Sequence, residues 1–239
     1  GPPFDSPMWT DVLRRMRTRG INAQSWDTLT EGTGSIKDET DRLVSAINQA
    51  AEDVVLIGHG TSLPLVLATA EATNIAGLVL SNGPLGQPDA LSRGLSRIAR
   101  LPRPLARALF SAHLSLPFLA SSLGLRRTVV NPYVMDRDTT VAICGPILKN
   151  SDRLGRALRY FETLSSAPTL SPSGHTKTLL CWGDSDPITS RNYEEFMENM
   201  ATSITNTPIE GGRYFHPVER PWALADTVVD WAATHLTTT

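Results

Sequence analysis

Val54-Val55-Leu56-Ile57-Gly58-His59-Gly60-Thr61-Ser62 is the stretch on which the fold turns. Val54 to Ile57 is a continuous apolar run of strand length, the pattern of a parallel strand buried on both faces. Two glycines then bracket a histidine, and Leu63 to Ala72 follows as an apolar helix. The segment reads as a buried strand, a sharp turn at Gly60 and a helix whose first turn holds Ser62.

The same alternation extends in both directions. Upstream, Trp9, Val12, Leu13 and Met16 lie at helical spacing within Pro7 to Arg19, and Ile21 to Trp26 reads as a short strand. A polar loop from Asp27 leads to Ser35, which with Asp38 makes a capping-box-like start for a helix carrying Leu43, Val44 and Ile47. Downstream, Ile75 to Leu80 is the next strand. Gly83 to about Ser173 then breaks the pattern, being rich in proline, arginine and serine with helical stretches and no clear strand. Alternation resumes with a strand at Thr178 to Trp182, a helix at Ser190 to Met200, a strand at Ser203 to Ile209 and a helix from Pro221 to Leu236. This implies an α/β fold with a mostly parallel, doubly wound sheet and a helical insertion. The expected division is 1–82 and 174–239 for the core and 83–173 for the insertion.

Composition bounds the function. The 239 residues are 41% hydrophobic and 19% charged, ordinary for a globular chain, and a net charge of −2 gives no electrostatic reason to expect nucleic acid as a partner. Cys144 and Cys181 form no metal-ligand spacing and read as buried thiols in a reducing compartment, which places the chain in the cytoplasm. The longest uncharged run, Ala108 to Leu125, is interrupted by His113 and Pro117 and makes a poor membrane span. No residue pattern calls for a metal or a cofactor.

Four segments together resemble the α/β-hydrolase superfamily, in particular its lid-bearing esterase, epoxide-hydrolase and haloperoxidase-like branch. They are Gly1 to Trp9, similar to the family's H-G-x-P turn and the tryptophan after it; Gly32-Thr33-Gly34-Ser35; Gly58 to Ser62, similar to the G-x-S-x-G nucleophile elbow; and Trp182 to Pro187 with Arg213 to Pro221, similar to the family's acid- and histidine-bearing ending. The resemblance implies that the insertion is a lid. It also implies that the family's N-terminal strands, one of them central, are not in this chain, so that another chain or segment supplies them.

Residue by residue, most of the hydrolytic apparatus fails to carry over. Gly60 stands at the nucleophile position. Asp186 stands at the acid position. Counting back from Glu219 and Pro221, Tyr214 stands at the base position, or His216 if the loop is threaded two residues differently. Tyrosine, with an ordinary pKa of ~10, is no substitute for imidazole near neutral pH. One oxyanion donor falls on Pro2, which has no N–H, while the N–H of Thr61 survives. Ser62 as a displaced nucleophile competes with its reading as a helix-start serine. His59 reads as a structural neighbour of the turn.

These residues imply a pocket put to another use. The reading is an enzyme doing non-hydrolytic chemistry (cyclisation, isomerisation or elimination) on a small apolar or amphipathic molecule. Asp186, Tyr214 and His216 would handle or orient protons. Pro2, Pro3, His59, Leu109, Phe110, Leu114 and Phe118 are the candidate lining. A non-catalytic binding protein on the same fold and a hydrolase with an unrecognised nucleophile are the alternatives.

Overall fold

The computed structural model describes residues 1–85, 88–164, 176–189 and 204–236. Four parallel strands form one sheet in the order β1 (Val55–His59), β2 (Gly77–Ser81), β3 (Thr178–Cys181) and β4 (Ile204–Asn206). The register sets Ile57 opposite Val79 and Val79 opposite Leu179, so odd-numbered residues of β1, β2 and β3 share one face. On that face Val79, Leu179 and Cys181 pack with Val12 and Met16 of α1 (Thr10–Thr18) and with Leu224, Val228 and Trp231 of the C-terminal helix Pro221–His235. Arg15 of α1 and Arg19 just after it clamp Asp226 of that C-terminal helix at 2.9 Å each. The opposite face buries Leu78, Leu80 and Leu180 against Leu63, Val66 and Leu67 of α3 (Leu63–Ala72), with Ile47 of α2 (Ile36–Asn48) behind. Helices on both faces explain why the strands read as unbroken apolar runs.

Ile21 to Trp26, expected as a strand, is not one. Among the described residues, the only ladder partner of β1 is β2, so this segment pairs with no described strand. Its Ala23 carbonyl is taken instead by the Arg17 guanidinium, at 3.0 Å from Nε and 2.7 Å from Nη2. The far edge of β1 is correspondingly open, with Val55, Leu56 and Ile57 only half-buried. The helix expected at Ser190 to Met200 lies outside the described residues.

Between β2 and β3 the chain is helical: α4 (Ala90–Ala99), α5 (Arg103–Leu109), α6 (Ala112–Leu119), α7 (Arg137–Leu148) and α8 (Ser151–Leu164). Their buried residues, among them Phe110, Ile143 and Phe161, join Phe4, Met8, Leu29, Tyr214 and Phe215 in one core. Polar contacts tie α8 to the loop before α2. Arg153 Nη2 donates to the Thr28 carbonyl at 2.8 Å, Arg156 to those of Gly32 and Leu29, and Arg159 to that of Thr33. Three arginines at a spacing of three lie along one side of a helix and so can grip one loop. Arg153 also makes a buried ion pair with Asp5, 2.7 Å. Among the described residues, no helix is long and apolar enough to cross a membrane.

Candidate functional site

The C-terminal ends of β1, β2 and β3 converge where the sequence places Gly60. Gly60 follows β1 directly, has a φ of +62° and opens a short 3-10 turn, Gly60–Ser62, that feeds α3. Its N–H donates to the Asn82 carbonyl at 2.6 Å, which joins the turn to the end of β2. A Cβ at Gly60 would lie 2.6 Å from the Tyr214 hydroxyl. The position that the resemblance gives to the nucleophile is therefore roofed by the residue it gives to the base. Glycine suits both constraints, a left-handed backbone and no room for a side chain.

Tyr214 is fully buried, and its hydroxyl has no hydrogen-bond partner among the described residues. Burial, with the nearby carboxyls of Asp89 and Asp186, pushes its pKa well above the usual tyrosine value. It stays protonated and can donate a hydrogen bond, but it is no base near neutral pH. Asp89 caps α4 by accepting from the Ser92 N–H at 2.7 Å, with the Ser92 hydroxyl close to the same carboxylate. Burial raises the Asp89 pKa. Among the described residues, the Tyr214 hydroxyl and His59 Nε2 are buried and unpartnered at the Gly60 end of the sheet.

Asp186 is committed elsewhere. One carboxylate oxygen accepts from the Ile188 N–H at 3.0 Å. The other accepts from Asn82 Nδ2 at 2.6 Å, from the Thr189 N–H at 3.2 Å and from the Thr189 hydroxyl. It closes its own turn and binds it to Asn82, whose side-chain oxygen accepts in turn from the Gly183 N–H at 2.9 Å. No hydrogen bond joins Asp186 to Tyr214 or His216.

His216 lies on the other side of the turn, in a chain of hydrogen bonds under the sheet's end. Its Nδ1 is 3.2 Å from the Arg213 carbonyl, so that nitrogen carries the proton. Nε2 must then accept, and its neighbour at 2.9 Å, the Ser81 hydroxyl, donates. The Ser81 oxygen is left to accept from His59 Nδ1 at 3.0 Å. Proton order is fixed from His59 through Ser81 to His216, and both ring nitrogens of His216 are occupied. Burial lowers the His216 pKa to about 4, and burial with the neighbouring His216 lowers that of His59 well below its usual value. Both rings are neutral at pH 7.

The other expected residues are distributed as follows. Ser62 donates to the His59 carbonyl at 2.8 Å and accepts from the His59 N–H at 3.0 Å, which uses its hydroxyl within the turn. Thr61 is buried; its side chain donates to the Pro2 carbonyl, and its own carbonyl accepts from the Tyr160 hydroxyl of α8 at 2.8 Å. Pro2 and Pro3 are buried beside it. Phe110 is in the core, stacked on Phe161 with ring centroids 5.5 Å apart. Leu109, Leu114 and Phe118 are exposed at the surface, 43%, 58% and 56%, so of the proposed lining from α5 and α6 only Phe110 faces inward. A cavity of about 450 Å³ lined by Asn48, Asp53, Val54 and Lys177 lies at the opposite, N-terminal end of the strands.

Sequence reading passed over Ser81, Asn82, Asp89 and Tyr160. The available signal was the polar pair Ser81-Asn82 ending the apolar run of β2, since a strand's C-terminal end is where parallel sheets gather polar side chains.

This parallel sheet, its two helical layers and the turn at Gly60 match solved structures closely in shape. The esterase from Thermogutta terrifontis superposes with a TM-score of 0.71 at 19% identity, covering 99% of this chain and 88% of its own. The haloalkane dehalogenase DbeA from Bradyrhizobium elkani gives 0.69 at 14%, covering 98% and 88%. An alpha/beta hydrolase fold protein from Burkholderia ambifaria gives 0.65 at 14%, covering 96% and 87%. The chain has the α/β-hydrolase fold. No protein-family model and no curated protein matches its sequence. At these identities the likeness speaks for the fold alone.

Proposed function

We propose that the chain is a small-molecule enzyme of non-hydrolytic type, in which Tyr214 takes over the place of the nucleophile and donates a hydrogen bond to the bound molecule. The observation that carries this reading is the Tyr214 hydroxyl itself, set 2.6 Å from where a Gly60 side chain would begin, buried and unpartnered. Leaving such a group unsatisfied costs about 1–3 kcal/mol, and an acceptor oxygen on a ligand recovers that. A protonated phenol in a water-free site stabilises negative charge developing on a carbonyl or alkoxide oxygen. That suits isomerisation, cyclisation or elimination, with the Thr61 N–H as a second donor. Asp186 serves by holding the turn that ends β3. Helices α4–α8 act as the lid, closing over a small apolar or amphipathic molecule. The triad positions are degenerate because attack by a side chain is not part of the reaction.

The test combines labelling with turnover. The protein should hydrolyse no activated ester and take up no fluorophosphonate probe. It should convert some component of a metabolite mixture, followed by mass spectrometry and chromatography, and Tyr214→Phe should abolish that conversion. A labelled serine, or conversion unaffected by Tyr214→Phe, rejects the reading.

A non-catalytic binding protein is the second reading. It is favoured by the saturation of His216, whose two ring nitrogens are both occupied by hydrogen bonds. Stoichiometric recovery of an unchanged ligand separates it from the first.

We also infer that the open edge of β1 receives a further strand from another segment or chain. Its support is the half-buried apolar edge, Val55 to Ile57, which among the described residues has no ladder on its outer side. Outward-facing amides of β1 should exchange hydrogen rapidly in the 239-residue chain, and slow exchange there would reject the inference.

A further inference from the structure

Asn82 directly follows β2 and is fully buried. Its backbone carbonyl accepts the Gly60 N–H at 2.6 Å and so ties the Gly60 turn to the end of β2. Its side chain serves a different segment, the turn that follows β3. Oδ1 accepts from the Gly183 N–H at 2.9 Å. Nδ2 donates to Asp186 at 2.6 Å and to the Thr189 hydroxyl at 3.5 Å. Chemistry fixes the way the amide points, because a carboxylate only accepts and a peptide N–H only donates.

The turn that Asn82 grips is bonded in its own right to the segment leading to Tyr214. The Ile209 N–H donates to the Trp182 carbonyl at 2.7 Å, the Asp184 N–H to the Ile209 carbonyl at 3.3 Å and the Ser185 N–H to the Gly212 carbonyl at 3.0 Å. A Cβ on Gly183 would lie 2.5 Å from the Gly212 carbonyl oxygen, so the two segments meet backbone to backbone. Tyr214 comes two residues after Gly212. Two residues further on, His216 Nε2 accepts from the Ser81 hydroxyl at 2.9 Å. Tyr214 therefore hangs between two fastenings that both begin at the end of β2, one from Ser81 and one from Asn82.

We propose that Asn82 is a positioning residue for the site at Gly60. Its carbonyl holds the Gly60 turn, its side chain holds the turn to which the Tyr214 segment is bonded, and together they set the spacing between Gly60 and the Tyr214 hydroxyl. Only Asn82 bonds both the Gly60 turn and the 183–189 turn among the contacts described above, since Ser81 reaches the Tyr214 segment from its other end. An amide suits the task because one short side chain donates to a carboxylate and accepts from a peptide N–H at once. The bearing of this on function rests on the reading of Tyr214 proposed above; the spacing itself is tested without turnover.

The experiment is fluorine NMR of the full chain with 3-fluorotyrosine at its 4 tyrosines, the signals of Tyr214 and Tyr160 being assigned by Tyr214→Phe and Tyr160→Phe. Asn82→Ala should shift the Tyr214 signal. It should leave in place that of Tyr160, whose hydroxyl reports on the Gly60 turn through the Thr61 carbonyl at 2.8 Å. The backbone bond to Gly60 survives the substitution, so the turn stays while Tyr214 moves. A residue that only adds stability would lower the unfolding temperature and leave the Tyr214 signal of the folded chain where it was. The exchange Asn82→Asp/Asp186→Asn restores the hydrogen bond with donor and acceptor reversed, and should return the Tyr214 signal towards its parent position. If Asn82→Ala does not fold, Asn82→Ser should show the same displacement, because one hydroxyl cannot hold Gly183 and Asp186 together. Once a convertible molecule is in hand, Asn82→Ala should lower kcat roughly a hundredfold with KM little changed. An unmoved Tyr214 signal in a folded Asn82 variant, a Tyr160 signal that moves with it, or an exchange that fails to bring it back each overturns the proposal. A displaced Tyr214 signal with turnover unchanged supports Asn82 as the residue that sets the spacing, and rejects the part given to Tyr214 in the reaction.

Discussion

The two sides of Gly60 handle buried polar groups in opposite ways. Beneath the sheet's end, Ser81 and His216 are saturated, the Ser81 hydroxyl being both donor and acceptor, while His59 is bonded through Nδ1 and its Nε2 is buried without a partner among the described residues. Above the turn, the Tyr214 hydroxyl has no partner among the described residues. Saturated groups hold a structure together and have no valence left for a visitor. Unsaturated ones weaken the free protein and gain when something binds. Of the two residues expected at the base position, Tyr214 is held protonated and His216 has both ring nitrogens occupied.

The largest effect should come from opening the saturated side. Ser81→Ala leaves His216 Nε2 and His59 Nδ1 buried without partners, at about 1–3 kcal/mol each, so a loss of about 4 kcal/mol should appear in denaturant unfolding. A loss under about 1 kcal/mol would mean that the array is not holding the sheet's end.

Acid should attack the same side. His216 has a folded pKa of about 4, below its unfolded value near 6.5, so the unfolded chain binds the extra proton first. Its contribution is therefore full above pH 6.5 and is lost as pH falls towards 4. It amounts to about 3 kcal/mol, with His59 adding in the same direction. His216→Gln should flatten the stability profile over that window, and an unchanged slope would remove the histidines from the account.

A smaller effect, about 2–3 kcal/mol, is expected of Gly60→Ala, from a left-handed backbone and the approach to Tyr214. In a Tyr214→Phe background the cost should fall by about 1 kcal/mol, because the atom at 2.6 Å is gone. Additivity of the two changes would show that Tyr214 does not roof the turn.

The smallest effects have opposite signs. Tyr160→Phe removes the hydroxyl bonded to the Thr61 carbonyl and should destabilise by about 1 kcal/mol. Tyr214→Phe removes an unpartnered one and should stabilise the free protein by a similar amount. Loss of stability in both would mean that Tyr214 is satisfied and the contrast does not hold.

Some of this was readable in the sequence, and the reasons differ by residue. The strand and turn at Val54 to Ser62 are local facts, an apolar run and glycines, and they appear as read. Ile21 to Trp26 has strand-like composition, but a strand also needs a neighbour, and composition does not supply one. Counting back from Glu219 and Pro221 gave Tyr214 the base position, and the structure sets its hydroxyl 2.6 Å from where a Gly60 side chain would begin. The Ser81 bridge to His216 and the Asn82 bond to Asp186 join residues more than a hundred positions apart, and no local pattern announces them. Leu109, Leu114 and Phe118 show the remaining limit. Apolar character marked them for burial, while the packing of two short helices turns them outward.

The arginine ladder of α8 has a mechanical consequence. Arg153, Arg156 and Arg159 fasten one flank of the helical segment to backbone carbonyls of the 28–33 loop, and the Asp5 ion pair pins the same flank. Parting that flank from the sheet would break several charge-assisted bonds at once, whereas α5 and α6 are anchored by a few apolar side chains. α8 is therefore the edge of the helical segment that polar contacts tie most heavily to the rest of the chain, and α5 is tied to α8 in turn by the Arg103–Glu162 ion pair, 3.1 Å.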